Sequence, residues 1–331
     1  MKKFLQSKAK VLFLCMFVML SCTACSSPRG KDGKTYLDQI IANETVQIPR
    51  GKVNIDQIED EELKAEYEKM DDDDLITVQP SSFKDAFNNG WFEGIVVWPI
   101  AKLLNIVGSK TDAGIAIITV TIFINLVIFI LTRKSQESSQ RMQEIQPEIQ
   151  RIQDKYSGKN DQESQMKMYN ETQALYKKYD IHPFGSMLVM FLQLPIMMGM
   201  YFATMRAATI INGTFLGVDL SGTAMDGFRY GRIVYIVIYV LMVICQLISI
   251  KLPQILKKFE EKKNPVKKHE YRKTEENSSP NTMNMTMYMS TAMIAFLYIS
   301  WPIAMSFYWL VSSLYRICQQ LVLHYTMNKG K

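Results

Sequence analysis

The stretch Met305-Ser-Phe-Tyr-Trp-Leu-Val-Ser-Ser-Leu-Tyr-Arg-Ile-Cys-Gln-Gln-Leu-Val-Leu323 reads as a membrane-crossing helix with one polar side. It is apolar enough to span, yet it carries an arginine, Arg316. A guanidinium in that setting costs roughly 2.5–3.5 kcal/mol on insertion scales, so it is kept where a partner or a wet cavity receives it. Tyr308, Ser312, Arg316 and Gln319 or Gln320 fall at helical spacing on one side of the run. The fold therefore has to provide something for that side to face.

The rest of the chain fits this setting. Its 331 residues are 48% hydrophobic with a net charge of +6, and the apolar residues concentrate in a few runs separated by charged loops. That pattern belongs to a multispanning membrane protein and excludes a single soluble domain. Residues 1–24 have a basic start (Lys2, Lys3, Lys8, Lys10), an apolar stretch Val11–Leu20 and small residues after it, the layout of a signal peptide. Leu20-Ser-Cys-Thr-Ala-Cys resembles a lipoprotein signal, with Cys25 as the lipid-attachment residue and Cys22 as the alternative acceptor. Cys245 and Cys318 stand singly in apolar runs and read as packing residues, not as a disulfide framework.

Residues 25–90 are polar and read as an extracytoplasmic linker; its run Asp71–Asp74 lacks the alternating ligands and glycine of a calcium loop. Residues 91–108, with Trp91 and Trp98, read as an amphipathic helix at the outer membrane interface. Five spans follow at 113–132, 185–206, 232–251, 283–301 and 303–325, each near the ~20 residues a bilayer needs. The segment 133–182 holds nine Lys/Arg, and 251–280 holds nine, while the loop 207–231 holds only Arg229. Basic residues set orientation, so 133–182, the basic loop 252–282 and the tail 326–331 are expected in the cytoplasm, with 207–231 outside.

Within 133–182, Met142, Ile145, Ile149, Ile152 and Tyr156 repeat at 3-4 spacing, as do Met168, Thr172, Leu175 and Tyr179. With Ser157-Gly-Lys-Asn as a turn between them, they predict an antiparallel helical hairpin with a narrow apolar seam. Pro147 is expected to kink its first helix.

Several segments, taken in order, resemble the YidC/Oxa family of membrane protein insertases from Trp91 to Tyr325. They are Thr121-Ile-Phe-Ile-Asn-Leu, Met142-Gln-Glu-Ile-Gln-Pro-Glu-Ile-Gln, Ala174-Leu-Tyr-Lys-Lys-Tyr-Asp-Ile-His-Pro-Phe-Gly and Leu192-Gln-Leu-Pro-Ile. Phe215-Leu-Gly-Val-Asp-Leu-Ser, Trp301-Pro and Tyr308-Trp-Leu-Val-Ser-Ser-Leu-Tyr-Arg complete the series. A lipoprotein signal ahead of five spans is similar to the Gram-positive form. The resemblance implies an all-α membrane protein in which five transmembrane helices form a cytoplasm-open hydrophilic groove, with the antiparallel cytoplasmic hairpin attached. It implies an insertase that receives nascent membrane proteins and releases their apolar segments sideways into lipid, with no nucleotide hydrolysis and no cofactor. The partners it implies are nascent membrane proteins, the ribosome through the hairpin and basic loops, the Sec translocon and anionic lipids. The family usually carries its groove arginine at the position of Asn125; in this chain the arginine is Arg316. His182 and Ser186 also depart from the family pattern. Asn125 and Arg316 each lie roughly 12 Å inside the cytoplasmic boundary at ~1.5 Å per residue, so the positive charge is expected to have crossed the groove at constant depth.

The candidate groove residues are Arg316, Asn125, Thr121, Gln193, Ser312, Tyr308, Trp309 and Gln246. Thr121 and Asn125 share a face at i,i+4. Ser186, Gln193, Met197, Met200 and Thr204 form one stripe of the second span, and Tyr239, Met242, Gln246 and Ser249 one of the third. The alternative is an anion transporter or channel using Arg316 as its binding charge, but no internal repeat of the transporter kind is visible. The three histidines, His182, His269 and His324, fall in no catalytic or metal-ligand spacing, and no hydrolase motif occurs, so no catalytic or metal site is expected.

Overall fold

The structure is a computed structural model that describes residues 28–159, 161–181, 183–263, 289, 291–293, 295–296 and 298–329. The expected signal peptide, Cys22, Cys25, residues 264–282 of the basic loop and the first part of the fourth span lie outside the described residues. In chain order, β1 (Thr35–Tyr36), β2 (Val46–Pro49) and β3 (Val53–Asn54) precede α1 (Glu61–Glu68) and β4 (Leu75–Val78). Then come α2 (Phe83–Asn88), a π-turn (Glu93–Val97), α3 (Trp98–Gly108) and the long α4 (Ala113–Glu144). Next are α5 (Gln146–Lys155), α6 (Gln162–Lys178), α7 (Pro183–Arg206) and α8 (Ala208–Asn212). The pair β5 (Thr214–Phe215) and β6 (Val218–Asp219), α9 (Ala224–Tyr230), α10 (Ile233–Lys263) and α11 (Ile303–Lys329) complete the described elements.

The chain is mostly helical, and among the described residues the strands are short pairs within 28–80 and 214–219. Among the described residues, α4 and the portion Ile233–Leu256 of α10 are long and apolar enough to cross a membrane. Both expose large apolar side chains at helical spacing: Ile115, Ile122, Leu126 and Ile130 on α4, and Ile233, Val237, Ile244 and Ile248 on α10. Stripes of that length are a liability in water and suit lipid. The opposite side of α10 buries Tyr235, Ile238, Met242, Gln246 and Ser249. Three members of the expected stripe are there, with Tyr235 and Ile238 in place of Tyr239. The helices also overrun the expected spans. α4 passes residue 132 to reach Glu144, α10 continues into the basic loop as far as Lys263, and α11 continues to Lys329.

The chain forms two compact units. The first contains residues 28–123, 191–239 and 298–308, and it corrects the reading of 25–90 as a polar linker. Ile40, Ala42, Ile48, Val53, Ile55, Ile76 and Val78 form a core with Ala208 and Ile211 of α8. β1 pairs in parallel with β3, and β2 pairs antiparallel with β4 from Val46↔Val78 to Pro49↔Leu75. The apolar residues of this region are sparse and irregular along the chain, and they assemble a core only because α8 supplies its other wall. The acidic run Asp71–Asp74 is an exposed turn that returns backbone bonds to Arg50 and Gly51.

The end of α7 is held by the same region. The carbonyls of Met205 and Arg206 accept from the Thr35 hydroxyl (2.7 Å) and the Ile41 N–H (2.7 Å), supplying partners that a helix C-terminus lacks by itself. The Asn105 amide of α3 donates to the Ile41 carbonyl (2.7 Å) while its oxygen accepts from the Thr209 N–H (3.0 Å). Arg206 donates to the Gln39 carbonyl and pairs with Glu93 at 2.5 Å, with the two side chains only 6% and 11% exposed. Residues 91–108 are thus bonded into the first unit along their buried side, while Trp91 and Ile95 remain exposed.

The second unit contains the described residues of 124–190, 240–297 and 309–329. Its hairpin follows the expected seam: Ile145, Ile149 and Ile181 are buried, with Met142, Leu175, Tyr176 and Tyr179 against them. The expected kink becomes a helix break. Ile145 leaves helical geometry (φ −86, ψ 3), and Pro147 stands in the first turn of the new helix α5. A proline has no N–H to give in mid-helix but is tolerated where that N–H has no acceptor anyway. At the far end Glu171 accepts from Lys155 (2.5 Å) and the Tyr156 hydroxyl (2.9 Å). The lysine first, then the tyrosine hydroxyl, hold the Glu171 carboxyl below its ordinary range.

Two outcomes are expected. Glu93→Gln leaves the Arg206 guanidinium buried beside a neutral amide and should lower unfolding stability by about 3–5 kcal/mol, measured by thermal or denaturant unfolding in detergent. Because folding lowers the Glu171 pKa, its contribution is complete above the unfolded value and fades as pH falls through the folded one. Protection of the amides of α5 and α6, expressed relative to the intrinsic exchange rate at each pH, should therefore stay constant from neutrality down to about pH 5 and fall below about pH 4. Glu171→Gln should abolish that acid-side change.

Candidate functional site

α11 organises the polar side chains of the second unit. Ser312 and Ser313 are adjacent on the helix and so project about 100° apart toward different neighbours. Asn125 of α4 donates its amide N–H to the Ser312 hydroxyl at 3.4 Å. The Ser313 hydroxyl donates to Gln246 Oε1 of α10 at 2.9 Å, and the Trp309 indole N–H donates to the same oxygen at 3.1 Å. Ser312, Ser313, Trp309 and Gln246 are all at most 5% exposed. A buried amide oxygen has two acceptor positions, and both are used.

Arg316 follows Ser312 by four residues and Ser313 by three, so it occupies the next turn on the surface between the α4-facing and α10-facing seams. Its guanidinium carbon lies 5.6 Å from the centre of the Trp309 ring, within cation–π range. The half-buried Asn125 and the half-buried Arg316 are thus both tied to the same stretch of α11, Trp309–Arg316.

Of the expected residues, Asn125, Gln246, Trp309, Ser312 and Arg316 are brought together in this cluster. Thr121, Gln193 and Tyr308 belong to the first unit. There Thr121 and Tyr308 are fully buried and Gln193 is partly buried on α7. Met200 and Thr204 of the expected α7 stripe are buried, and Met197 is partly so. The residue missed by sequence reasoning is Ser313. The doublet Ser312-Ser313 in an apolar run was its available signal, since a buried hydroxyl implies a partner on another helix. Among the described residues no group of three or more His, Cys, Asp or Glu could hold a metal ion. Cys245 is partly buried and Cys318 exposed, each as a free thiol.

Helices with lipid-suited faces and a buried polar seam between α4, α10 and α11 define a helical membrane protein. The comparisons with known proteins then give its family. The family described as 60Kd inner membrane protein matches residues 104–330. The chain is 30% identical over 235 residues to membrane protein insertase MisCA of Bacillus subtilis, covering 70% of this chain and 79% of that protein. It is 29% identical over 249 residues to membrane protein insertase YidC of Oceanobacillus iheyensis, covering 74% and 88%. Against YidC 1 of Streptococcus pyogenes serotype M6 the identity is 37% over 146 residues, 44% of this chain and half of that protein. The chain belongs to the YidC/Oxa family. Residues 28–80, which share a core with Ala208 and Ile211 of α8, lie ahead of the matched region.

The α4–α11 contact gives a direct geometric expectation. With Cys245 and Cys318 replaced by Ala, the double variant Asn125→Cys/Ser312→Cys should form an intramolecular disulfide on mild oxidation, seen as a mobility shift reversed by reductant. Asn125→Cys paired with a cysteine at the exposed Leu314 should not.

Proposed function

We propose that this chain is a membrane protein insertase. In this reading a nascent membrane protein enters a hydrophilic groove lined by Arg316, Asn125, Thr121, Gln193, Ser312, Tyr308, Trp309 and Gln246. Its apolar segment then leaves sideways into lipid, with no nucleotide hydrolysed. The relatives named as insertases support the activity. The observation that carries the site is the convergence of Asn125 and Arg316 on one stretch of α11. The family resemblance assigns the groove arginine to the position of Asn125. A cation relocated to Arg316 stands on the helix that Asn125 touches, one turn from the contact, so its field reaches the same space.

The role of the charge is electrostatic. In a cavity walled by lipid and protein the field of a guanidinium is screened less than in bulk water, so it attracts acidic residues in a client's polar tail. A hydrophilic groove also shortens the apolar distance that tail must cross. The five spans, the cytoplasmic side of the hairpin and basic loop, and a lipid anchor on Cys25 in the plasma membrane belong to the same proposal. So do contacts with ribosomes, the Sec translocon and anionic lipids, supported by the basic residues of 133–182 and 251–280. The flexible methionines of α7 suit a surface that receives many unrelated segments.

In cells depleted of their own insertase, Arg316→Ala should fail to rescue growth although the protein accumulates normally. Adding Asn125→Arg to that variant should restore rescue, because the charge returns to the other wall at equal depth. Normal growth with Arg316→Ala at normal protein level would overturn the reading.

A further inference from the structure

We infer that the β5–β6 hairpin is a membrane anchor whose tip residue, Leu216, enters the lipid leaflet at the Ala113 end of α4. This requires that α4 crosses the bilayer and uses no feature of the groove; in the orientation proposed above, that leaflet is the outer one. Thr214 pairs with Asp219 and Phe215 with Val218, which leaves Leu216 and Gly217 as a two-residue turn. Both have positive φ, 52° and 74°, as a type I′ turn demands. Such turns favour Asn-Gly, because Asn tolerates left-handed backbone and Gly has no Cβ to clash. A leucine gains nothing there from the backbone. It gains nothing from packing either, since it is 76% exposed.

A lone exposed leucine on a loose loop would be ordinary. This one is mounted on a fixed base. The Phe215 ring lies so close over Gly114, in the first turn of α4, that a Cβ there would not fit, and it meets the Phe307 ring of α11 at 4.9 Å between centres. On the other strand, one Asp219 carboxylate oxygen accepts from the Ser221 hydroxyl (2.7 Å) and N–H (2.9 Å), and Lys52 Nζ stands 3.7 Å from the second oxygen. The Asp219 carbonyl accepts from the Tyr235 hydroxyl of α10 at 2.7 Å. The base thus holds the tip in a conformation that its own residue disfavours, and strain of that kind points to a use for the side chain.

The base also sets what the tip meets. Phe215 rests on Gly114, and the next residue, Ile115, opens the exposed apolar stripe of α4 that suits lipid. The other membrane-length helix begins in the same way, with Phe228 and Tyr230 of α9 exposed just ahead of the exposed Ile233 of α10. Leu216 therefore extends a lipid-suited surface. No charged residue occurs from Thr214 to Val218, so sinking the tip desolvates no ion. Taking the leucine out of water is favourable, and a turn already fixed loses little further freedom on insertion.

The test uses the full-length protein with Cys245→Ala and Cys318→Ala, in vesicles of phosphatidylethanolamine and phosphatidylglycerol. Single cysteines replace Leu216, Ile122 on the α4 stripe, or the exposed Asp73, and each carries a nitroxide; the signal of the parent background is subtracted. Collision with oxygen, which enters lipid, is compared with collision with a water-soluble nickel chelate. The oxygen-to-nickel ratio at 216 should approach that at 122 and exceed that at 73 several-fold. A nitroxide on the exposed Thr214→Cys should show a lower ratio when Leu216→Asn is added, because asparagine keeps the turn and removes the anchor. A ratio at 216 equal to that at 73 overturns the inference, and so does a ratio at 214 that Leu216→Asn leaves unchanged. A nitroxide at 216 that neither reagent reaches would place the tip against protein and overturn it as well. Loss of insertase activity alone would leave these ratios as they are, so failure of the groove and failure of the anchor are distinguishable.

Discussion

A polar group placed among apolar helices has to find its partner inside the protein, because neither lipid nor a neighbouring leucine can supply one. Gln246 shows what that requirement does to the fold. Its amide oxygen takes hydrogen bonds from Trp309 and Ser313, which commits α10 and α11 to one register. Asn125 commits α4 to the same helix through Ser312. Each such bond contributes modestly, about 0.6 kcal/mol on average where it has been measured in a membrane protein. The specificity they impose is larger than their stability, since any rotation or slip leaves several buried polar atoms without partners at once.

The same logic operates in the first unit. The carbonyls that end α7 are received by Thr35 and Ile41, and the Arg206 side chain by Glu93 and the Gln39 carbonyl. Residues 28–80 lie ahead of the family match, yet they complete a helix terminus inside it. The apolar core they build needs Ala208 and Ile211 as much as its own isoleucines and valines. This segment and α8 therefore fold as one body and have no separate hydrophobic logic.

Arginine in an apolar run is costly unless something receives it, and one of the contacts of Arg316 is with the ring of Trp309. Trp309 lies about two turns before Arg316 on the same helix, so the contact is local, while Trp309 is also hydrogen-bonded to Gln246 of α10. Local geometry brings the guanidinium to the ring, and tertiary geometry keeps the ring in place.

Much of the architecture was legible in the chain because it depends on local periodicity. The apolar runs marked the long helices, and the 3-4 repeat of Met142, Ile145 and Ile149 marked the hairpin seam that buries Ile145 and Ile149. Helical spacing also placed Ser312 and Arg316 on one side of α11, since i,i+4 neighbours share a face in any helix. Other features required the folded chain. Pro147 marked an interruption, but only the folded backbone put the break at Ile145. The core of 28–80 was invisible because half of its wall arrives from α8, far along the sequence. Nor does spacing say which helix a serine will face: Ser312 meets Asn125 and Ser313 meets Gln246 because three helices pack in one register. Periodicity is written by the backbone within a segment; partnership is decided by packing between segments, where no local rule reaches.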